Sequence, residues 1–449
     1  MDERNIMNPF EQYSLEELRL RTSEKWTNYS PDILPLWVAE MDVKLPEELV
    51  NGMTQIVKRG DLGYLSRLGF ERYANAFCSF AQRHWGWIPD ASSMVDVPDV
   101  VRGCTQVINA YLEHDPNNNV IVSTPIYPPF INSYAKGYKF VDAPLTALYY
   151  GGKLSDNPFG LNFDALEEAF KSSTTNGQKA VYALCNPSNP TGAVHTQDEL
   201  RRLANLSSKY GVLVVSDEIH APLVTMRNFE LEGHILAECR NPENHGRHSA
   251  FTPYLSVPEV DFAVTVCSAS KAFSIPGVKA ALVVPSNNSS GKARDLVLNS
   301  GHFSKASSEH LGALAQTICL NQCDEWLYHL VQAIRNNLSY FASLSKQYFA
   351  LAEYACLGGT YFAWVDFSKY VENGSIPEGV PPAKYFLDKA KVAFNDGSTF
   401  ATAVNLSFPG LPKAGTQIIT SPYDNFVRIN LATSQEVIRM ALESVGSVL

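Results

Sequence analysis

The stretch Cys267-Ser-Ala-Ser-Lys-Ala-Phe-Ser-Ile-Pro-Gly277 places a single lysine, Lys271, directly after an apolar run. Residues 260–266 of that run are rich in β-branched side chains, which predicts a buried β-strand. The Pro-Gly pair at 276–277 ends the local order before a second apolar run at 280–284, which predicts another strand. A lone lysine after a buried strand is usually a solvated surface group, so its role depends on what the rest of the chain brings near it.

Three further apolar strands are predicted to end in polar side chains, which are Tyr127, Asn189 and Asp217. Open α/β sheets bind their ligands at the carboxyl ends of strands, so these side chains are candidates for one site. Asn189 belongs to the turn Asn186-Pro-Ser-Asn-Pro-Thr-Gly192, whose two prolines and glycine make it rigid. Asp217 is a carboxylate at the end of an apolar strand and has little structural reason to be there. Tyr127, in contrast, could simply pack on Pro128.

A fourth polar side chain, Arg428, lies inside the alternating apolar run 425–431. A buried arginine needs an anionic partner. The α-carboxylate of an amino acid offers two oxygens with the spacing of a guanidinium fork. Arg428 is therefore a candidate for substrate binding.

Composition limits the classes of function. A chain of 449 residues with 45% hydrophobic content predicts two domains with a sizeable core. The net charge of −10 argues against nucleic acid or an anionic membrane as the main partner. The eight cysteines form no Cys-x-x-Cys pair, and no metal site is predicted. No signal peptide or membrane-spanning run is visible, so we expect a cytoplasmic protein.

Taken in order, five motifs resemble those of the fold-type I pyridoxal phosphate enzymes, the aspartate aminotransferase superfamily. The motifs are Tyr127-Pro-Pro, Asn186 to Gly192, Ser216-Asp-Glu-Ile-His220, the Lys271 stretch and Arg428-Ile-Asn. An upstream segment, Leu36-Trp-Val-Ala-Glu-Met-Asp42, is similar to an arm of the PatB/MalY-like cystathionine β-lyase (C–S lyase) branch. The resemblance covers the chain from about Asn28 to its end.

The resemblance implies an α/β fold with a large domain and a smaller one. The large domain would hold a mostly parallel central sheet flanked by helices, and the C-terminal domain would be α+β. The expected bounds are an N-terminal arm at 1–50, the cofactor-binding domain at 51–300 and the small domain at 301–449. A long interdomain helical region is expected near 301–349. A homodimer with sites at its interface is also implied.

The resemblance also assigns roles around the cofactor pyridoxal 5′-phosphate. Lys271 would form an imine with its aldehyde and act as the base, while Asp217 would hold its ring nitrogen protonated. Asn189 and His220 would tune the phenolate oxygen, and Tyr127 would lie over the ring and touch the substrate. The substrate itself would meet three residues, which are Arg428, Tyr127 and Trp37 of the arm.

The phosphate is expected at a turn before a helix predicted at 107–112, because free backbone N–H groups and the helix dipole favour anions there. The residues expected around it are Arg102, Gly103, Cys104, Ser268, Ser270, Lys279 and, from the neighbouring subunit, Tyr64. Arg102 stands out, because the branch usually has proline there. It is either an extra phosphate ligand or a surface residue.

The lyase branch implies β-elimination from cystathionine or another S-substituted cysteine, giving a thiol, pyruvate and ammonia. The same motifs also serve an aminotransferase, and a cofactor-binding regulator with little turnover is a third hypothesis. The chain departs from the branch at Glu40, at Arg102, at an insertion near 231–247 and at 432–434. These departures suggest a bulky cysteine conjugate of a specialised pathway as the substrate.

Overall fold

The computed structural model describes residues 8–147, 149–150, 153–154, 158–224, 251–288, 290–303, 307–401, 404–405 and 419–449. The insertion expected at 231–247 lies outside these residues. The strands are β1 (Leu34–Pro35), β2 (Val95–Val97), β3 (Asn119–Val122), β4 (Lys139–Asp142), β5 (Tyr149–Tyr150), β6 (Lys153–Leu154), β7 (Ala180–Cys185), β8 (Leu213–Asp217), β9 (Ala263–Cys267), β10 (Ala281–Pro285), β11 (Glu353–Ala355), β12 (Phe362–Asp366), β13 (Val392–Ala393), β14 (Asn395–Asp396), β15 (Val404–Asn405), β16 (Ile419–Thr420) and β17 (Phe426–Asn430).

The α-helices are also numbered along the chain. They are α1 (Leu15–Arg19), α2 (Glu24–Thr27), α3 (Glu47–Lys58), α4 (Arg67–Trp85), α5 (Val100–Leu112), α6 (Phe163–Ser173), α7 (Gln197–Tyr210), α8 (Lys292–Asn299), α9 (His310–Gln322), α10 (Asp324–Tyr348), α11 (Ser368–Glu372), α12 (Pro382–Ala390) and α13 (Gln435–Gly446). Among the described helices, none combines the length and the apolar character that crossing a membrane requires.

A seven-stranded sheet in the order β2-β10-β9-β8-β7-β3-β4 forms the centre of the molecule. Pairing is parallel from β4 through β9, and β10 is antiparallel to both β9 and β2. Strands β3, β7, β8 and β9 are buried along their whole length because both faces are covered. The expected α/β fold with a mostly parallel central sheet is confirmed.

The register of this sheet brings the predicted polar ends together. Cys185 at the end of β7 pairs with Asp217 at the end of β8, and Asp217 in turn lies opposite Val266 of β9. The turn that carries Asn189 and the loop that carries Lys271 therefore leave the sheet at the same edge. This edge is the carboxyl end of the parallel strands, where such folds hold their ligands.

Two predicted helices begin or end elsewhere. Helix α5 begins at Val100 rather than at residue 107, because Asp99 caps it by accepting a hydrogen bond from the Arg102 amide. The helical region expected near 301–349 starts at His310, where α9 begins, and α8 ends before it at Asn299. Gly301 between them has a φ of 72°, a left-handed conformation that ends a helix.

A second sheet, in the order β11-β12-β17-β14, is antiparallel. It carries Arg428 and Asn430 in β17, with both side chains on one face because they are two residues apart. The N-terminal arm lies against this part of the chain, since β1 pairs in parallel with β13. The domain bounds themselves stay predictions.

Candidate active site

A cavity of about 530 Å³ opens at the carboxyl edge of the large sheet. Eight of the predicted site residues line it, together with others that the sequence did not single out. The predicted ones are Arg102, Tyr127, Asn189, Asp217, His220, Ser270, Lys271 and Lys279, and the others include Ala39, Asp99, Thr105 and Cys185. Residues that are far apart in sequence thus line one cavity.

Lys271 projects into this cavity, and its Nζ donates a hydrogen bond to the Ala39 carbonyl oxygen at 2.9 Å. Burial, together with the positive charge of Arg428, lowers the pKa of Lys271 to about 8. A larger fraction of this amine is therefore neutral near physiological pH than for an ordinary lysine. A neutral amine is what attack on an aldehyde or removal of a proton requires.

The loop before Lys271 is held by Gln316 of α9. The Gln316 Oε1 accepts hydrogen bonds from the Ala269 amide at 2.9 Å and from the Tyr73 hydroxyl at 2.7 Å. Ser268 is part of this network, because its Oγ donates to the Ala280 carbonyl oxygen at 2.8 Å and accepts from Gln316 Nε2 at 3.0 Å. Ser268 is buried and does not line the cavity. Its hydroxyl contacts Ala280 and Gln316, and the contact with a phosphate that the sequence predicted stays a prediction.

Asp217 is buried, with a carboxylate that accepts from the Ile219 amide at 3.1 Å and from the Tyr134 hydroxyl at 3.5 Å. Burial raises the pKa of Asp217 to about 7, although both hydrogen bonds and the charge of Lys271 oppose the change. Within the described residues no basic side chain forms an ion pair with it. A cationic ring N–H in the cavity would stabilise the ionised carboxylate, so this residue fits a protonated pyridine nitrogen.

His220 is buried beside the cavity, with its ring edge-to-face with the rings of Tyr361 and Phe362 at 6.0 Å and 5.7 Å. Burial lowers the pKa of His220 to about 3, and the charges of Lys271 and Arg428 act in the same direction. The imidazole is therefore neutral. Its Nδ1 is buried without a hydrogen-bond partner among the described residues, which leaves it free to meet a polar group in the cavity.

Arg428 is buried behind the cavity wall and makes two hydrogen bonds to neutral oxygens. Its Nη1 donates to Asn189 Oδ1 at 2.9 Å and its Nη2 to the Trp37 carbonyl oxygen at 2.8 Å. The guanidinium lies 4.2 Å from the ring centre of Phe362. Its Nε has no partner, and no carboxylate among the described residues pairs with it. A buried cation with these contacts fits the carboxylate of a ligand.

The segment from residue 36 to 43, called the arm below, runs between the two sheets. Its carbonyl oxygens are held by side chains from both sides, since Ala39 also accepts from the Tyr361 hydroxyl at 3.2 Å. Asn430 Nδ2 donates to the carbonyl oxygens of Val38 at 2.6 Å and Glu40 at 2.7 Å. The arm therefore connects Lys271 and Arg428 through carbonyl groups only two residues apart.

A buried ion pair fixes the end of the arm. Lys25 Nζ lies 2.6 Å from Asp42 Oδ2, and the side chains of both residues are 1% exposed. The indole nitrogen of Trp26 donates to the other oxygen of Asp42 at 2.9 Å. No local pattern indicates that Lys25 pairs with Asp42, or that Tyr361 and Asn430 donate hydrogen bonds to the arm, because these contacts join residues that are separated along the chain.

The phosphate end of the predicted site is formed by the first turn of α5, by Ser270 and by Lys279. Gly103 and Cys104, which were predicted near the phosphate, do not line the cavity. Both are buried in the helix, and a Cβ on Gly103 would lie 2.7 Å from Val266 Cγ1. The early start of α5 places the amides of its first turn at residues 100–102 rather than at 102–104.

Tyr64 and Trp37 are two further predicted residues that do not line the cavity of this chain. Tyr64 is fully exposed in the connection between α3 and α4. The Trp37 ring packs edge-to-face on Tyr29 at 5.7 Å, and the residue meets the site through its carbonyl oxygen. The predicted contact of Tyr64 with a neighbouring subunit stays a prediction.

The comparisons with known proteins agree with this geometry. The family model for class I and II aminotransferases matches residues 32–445. The chain belongs to this family. The resemblance found in the motifs is therefore confirmed.

Two relatives and one solved structure show which proteins of known name this chain is similar to. A putative cystathionine β-lyase of Mycobacterium tuberculosis is 35% identical, with 96% of each chain covered. Cystathionine β-lyase of Corynebacterium glutamicum is 28% identical over 97% of this chain and 99% of that one. A crystal structure of a putative PLP-dependent β-cystathionase from Corynebacterium diphtheriae matches with a TM-score of 0.73 at 27% identity, covering 97% of this chain and 98% of that one.

Proposed function

We propose that this protein is a pyridoxal 5′-phosphate-dependent carbon–sulfur β-lyase. It takes an S-substituted cysteine, such as cystathionine, and water to a thiol, pyruvate and ammonium. The observation that carries the proposal is the single cavity shared by Lys271 and Asp217, with Arg428 behind it and without an anionic partner among the described residues. The relatives named cystathionine β-lyase match along nearly the whole chain and support the choice of reaction.

The residues present fit the cofactor. Lys271 is the amine that joins its aldehyde, and Asp217 holds a proton on the ring nitrogen. Ser270, Arg102 and Lys279 hold the phosphate, and Asn189 and His220 meet the phenolate side. When bound, the cofactor supplies a conjugated ring that stabilises the carbanion left at Cα of the substrate.

Lys271 moves the protons in this proposal. After the substrate amine has taken its place, the Nζ of Lys271 removes the proton from Cα. The C–S bond then breaks, and the sulfur leaves with the electron pair and takes up a proton to become a thiol. The remaining three-carbon amine is hydrolysed with one water to pyruvate and ammonium, so the atoms balance.

Arg428 orients the substrate. Its guanidinium binds the α-carboxylate, and Asn189 and the Trp37 carbonyl oxygen hold the guanidinium in position. Phe362 covers one face of the group and keeps water away from it. A fixed carboxylate places the Cα proton reproducibly relative to Lys271.

An aminotransferase is the second candidate, because the family model is named for that activity. The described cavity residues serve both reactions, and the difference lies in whether the β-substituent leaves. A transaminating enzyme needs a keto acid to complete its cycle, whereas a β-lyase does not.

The experiment uses the holoenzyme with L-cystathionine or an S-alkyl-cysteine and no keto acid, following pyruvate and free thiol. The proposal predicts sustained release of both in equal amounts. A single stoichiometric loss of the cofactor's visible absorbance, restored by a keto acid, would assign an aminotransferase instead. If no amino acid reacts, the remaining hypothesis is that the protein is a cofactor-binding regulator. If cystathionine is turned over far better than larger S-conjugates, the hypothesis that the natural substrate is a bulky cysteine conjugate is wrong.

We also propose that the protein forms a homodimer and that it is located in the cytoplasm. Large apolar side chains are exposed between 50 and 68, among them Val57 at 56%, Leu62 at 56% and Tyr64 at 101%. A second copy covering this surface would bury them, and Tyr64 would then reach the neighbouring site. Light scattering should give twice the chain mass. A Tyr64→Phe variant should bind the cofactor more weakly while its oligomeric state stays the same.

A further inference from the structure

Asp99 lies at the phosphate end of the cavity and was not singled out by the sequence. It is the N-cap of α5, and its Oδ1 accepts a hydrogen bond from the Arg102 amide at 2.9 Å. It also lines the cavity beside Ser270 and Lys279. An acidic side chain therefore occupies the helix end that would otherwise receive an anion.

The same carboxylate also approaches a cation. Asp99 Oδ2 lies 3.7 Å from Lys279 Nζ, and the side chains are 35% and 45% exposed. One oxygen thus engages a backbone amide and the other an ammonium group. These are the two kinds of donor that a phosphate uses at such a site.

A phosphate held by these donors would lie beside the Asp99 carboxylate, which carries charge of the same sign. The two groups would repel each other even where water screens them. Arg102, also on the cavity wall, supplies a compensating positive charge where the lyase branch usually has proline. Asp99 would therefore weaken the binding of a phosphate at this site, and Arg102 would strengthen it.

We propose that Asp99 is an internal competitor of the cofactor phosphate. It shares the Arg102 amide and Lys279 with that phosphate and so limits how tightly the phosphorylated cofactor is held. The inference rests on the proposed use of pyridoxal 5′-phosphate. It adds a residue that sets the affinity of the site for the phosphate group.

The test compares the full-length wild type with Asp99→Asn after removal of the cofactor. Asparagine caps a helix about as well as aspartate, so the start of α5 is preserved and only the charge is lost. Both proteins are titrated with pyridoxal 5′-phosphate and with pyridoxal, which lacks the phosphate. The dissociation constants are followed by visible absorbance. Asp90→Asn is the matched control, because Asp90 also caps a short helix but does not line the cavity.

We expect Asp99→Asn to lower the dissociation constant for pyridoxal 5′-phosphate about fivefold or more, and to leave that for pyridoxal unchanged. Inorganic phosphate should compete more strongly in the variant. An unchanged or weaker affinity for pyridoxal 5′-phosphate, or an equal gain for pyridoxal, would overturn the inference. If the wild type binds no pyridoxal 5′-phosphate at all, the proposed function fails instead.

Discussion

Asp217 and Glu218 are adjacent in sequence, but their carboxyl groups have different surroundings. Asp217 lines the cavity, whereas Glu218 accepts hydrogen bonds from the Tyr254 amide at 2.9 Å and the Ser216 hydroxyl at 3.0 Å. Burial raises the pKa of Glu218 to about 8, so this group is a neutral acid near pH 7. Only Asp217 of the two is placed to meet a ligand.

The pair gives a matched test. Asp217→Asn should lower kcat/KM at least about a hundredfold, because an amide does not keep a proton on the ring nitrogen. Glu218→Gln replaces a neutral acid with an amide of the same shape and should leave kcat/KM largely unchanged. Steady-state kinetics with L-cystathionine measures both. Equal losses in the two variants would mean that Asp217 acts through folding rather than through the cofactor.

The lowered pKa of Lys271 predicts a pH dependence. The amine attacks an aldehyde only when neutral, so the rate of cofactor capture by the cofactor-free protein should rise with pH. Because the pKa is about 8, the rate should level off above that pH. Arg428→Met removes a neighbouring positive charge and should move the curve to higher pH. Stopped-flow absorbance gives the rates, and a rise continuing to the ordinary range of lysine would refute the assignment.

Arg428 is predicted to act on the substrate and not on the cofactor. Arg428→Lys keeps the charge but loses the planar fork, so kcat/KM should fall about a hundredfold. The dissociation constant for pyridoxal 5′-phosphate should stay the same. Arg439→Lys, in an exposed ion pair with Glu443 on α13, is the control and should change neither quantity. A large loss of cofactor binding in Arg428→Lys would contradict the assigned role.

At the scale of elements, the arm depends on its buried ion pair. Asp42→Asn would leave Lys25 buried without its anionic partner, and it should lower the free energy of unfolding by about 3 kcal/mol or more. Glu443→Gln breaks the exposed Arg439 pair and should cost far less, because water screens exposed ion pairs. Urea unfolding compares them. Equal small effects would show that the pair does not fix the arm.

The elements that the sequence predicted best are the buried strands. Strands β7, β8 and β9 are apolar on both faces, so short unbroken apolar runs revealed them. Helix α5 was predicted to start too late, since Val100 and Val101 are β-branched and favour a strand when considered locally. The N-cap hydrogen bond of Asp99 decides the start, and it becomes visible only in the structure.

At the scale of the whole molecule, the basic side chains of Lys271 and Arg428 are positioned by two different sheets. Lys271 follows a strand of the large sheet, and Arg428 lies in the small one. Both donate to carbonyl oxygens of the arm, at Ala39 and Trp37. The motifs predicted the lysine, the arginine and the arm itself, but not the carbonyl hydrogen bonds through which the arm connects the two side chains, because hydrogen bonds across more than 200 residues leave no local pattern.

The central claim is that Lys271 is the residue that joins the cofactor. The most direct measurement is reduction of the holoenzyme with borohydride, followed by peptide mass spectrometry to locate the cofactor-modified lysine. The claim predicts a single modified residue, Lys271, and none in the Lys271→Ala variant. Modification of Lys279, which lines the same cavity, or of a lysine elsewhere would contradict it.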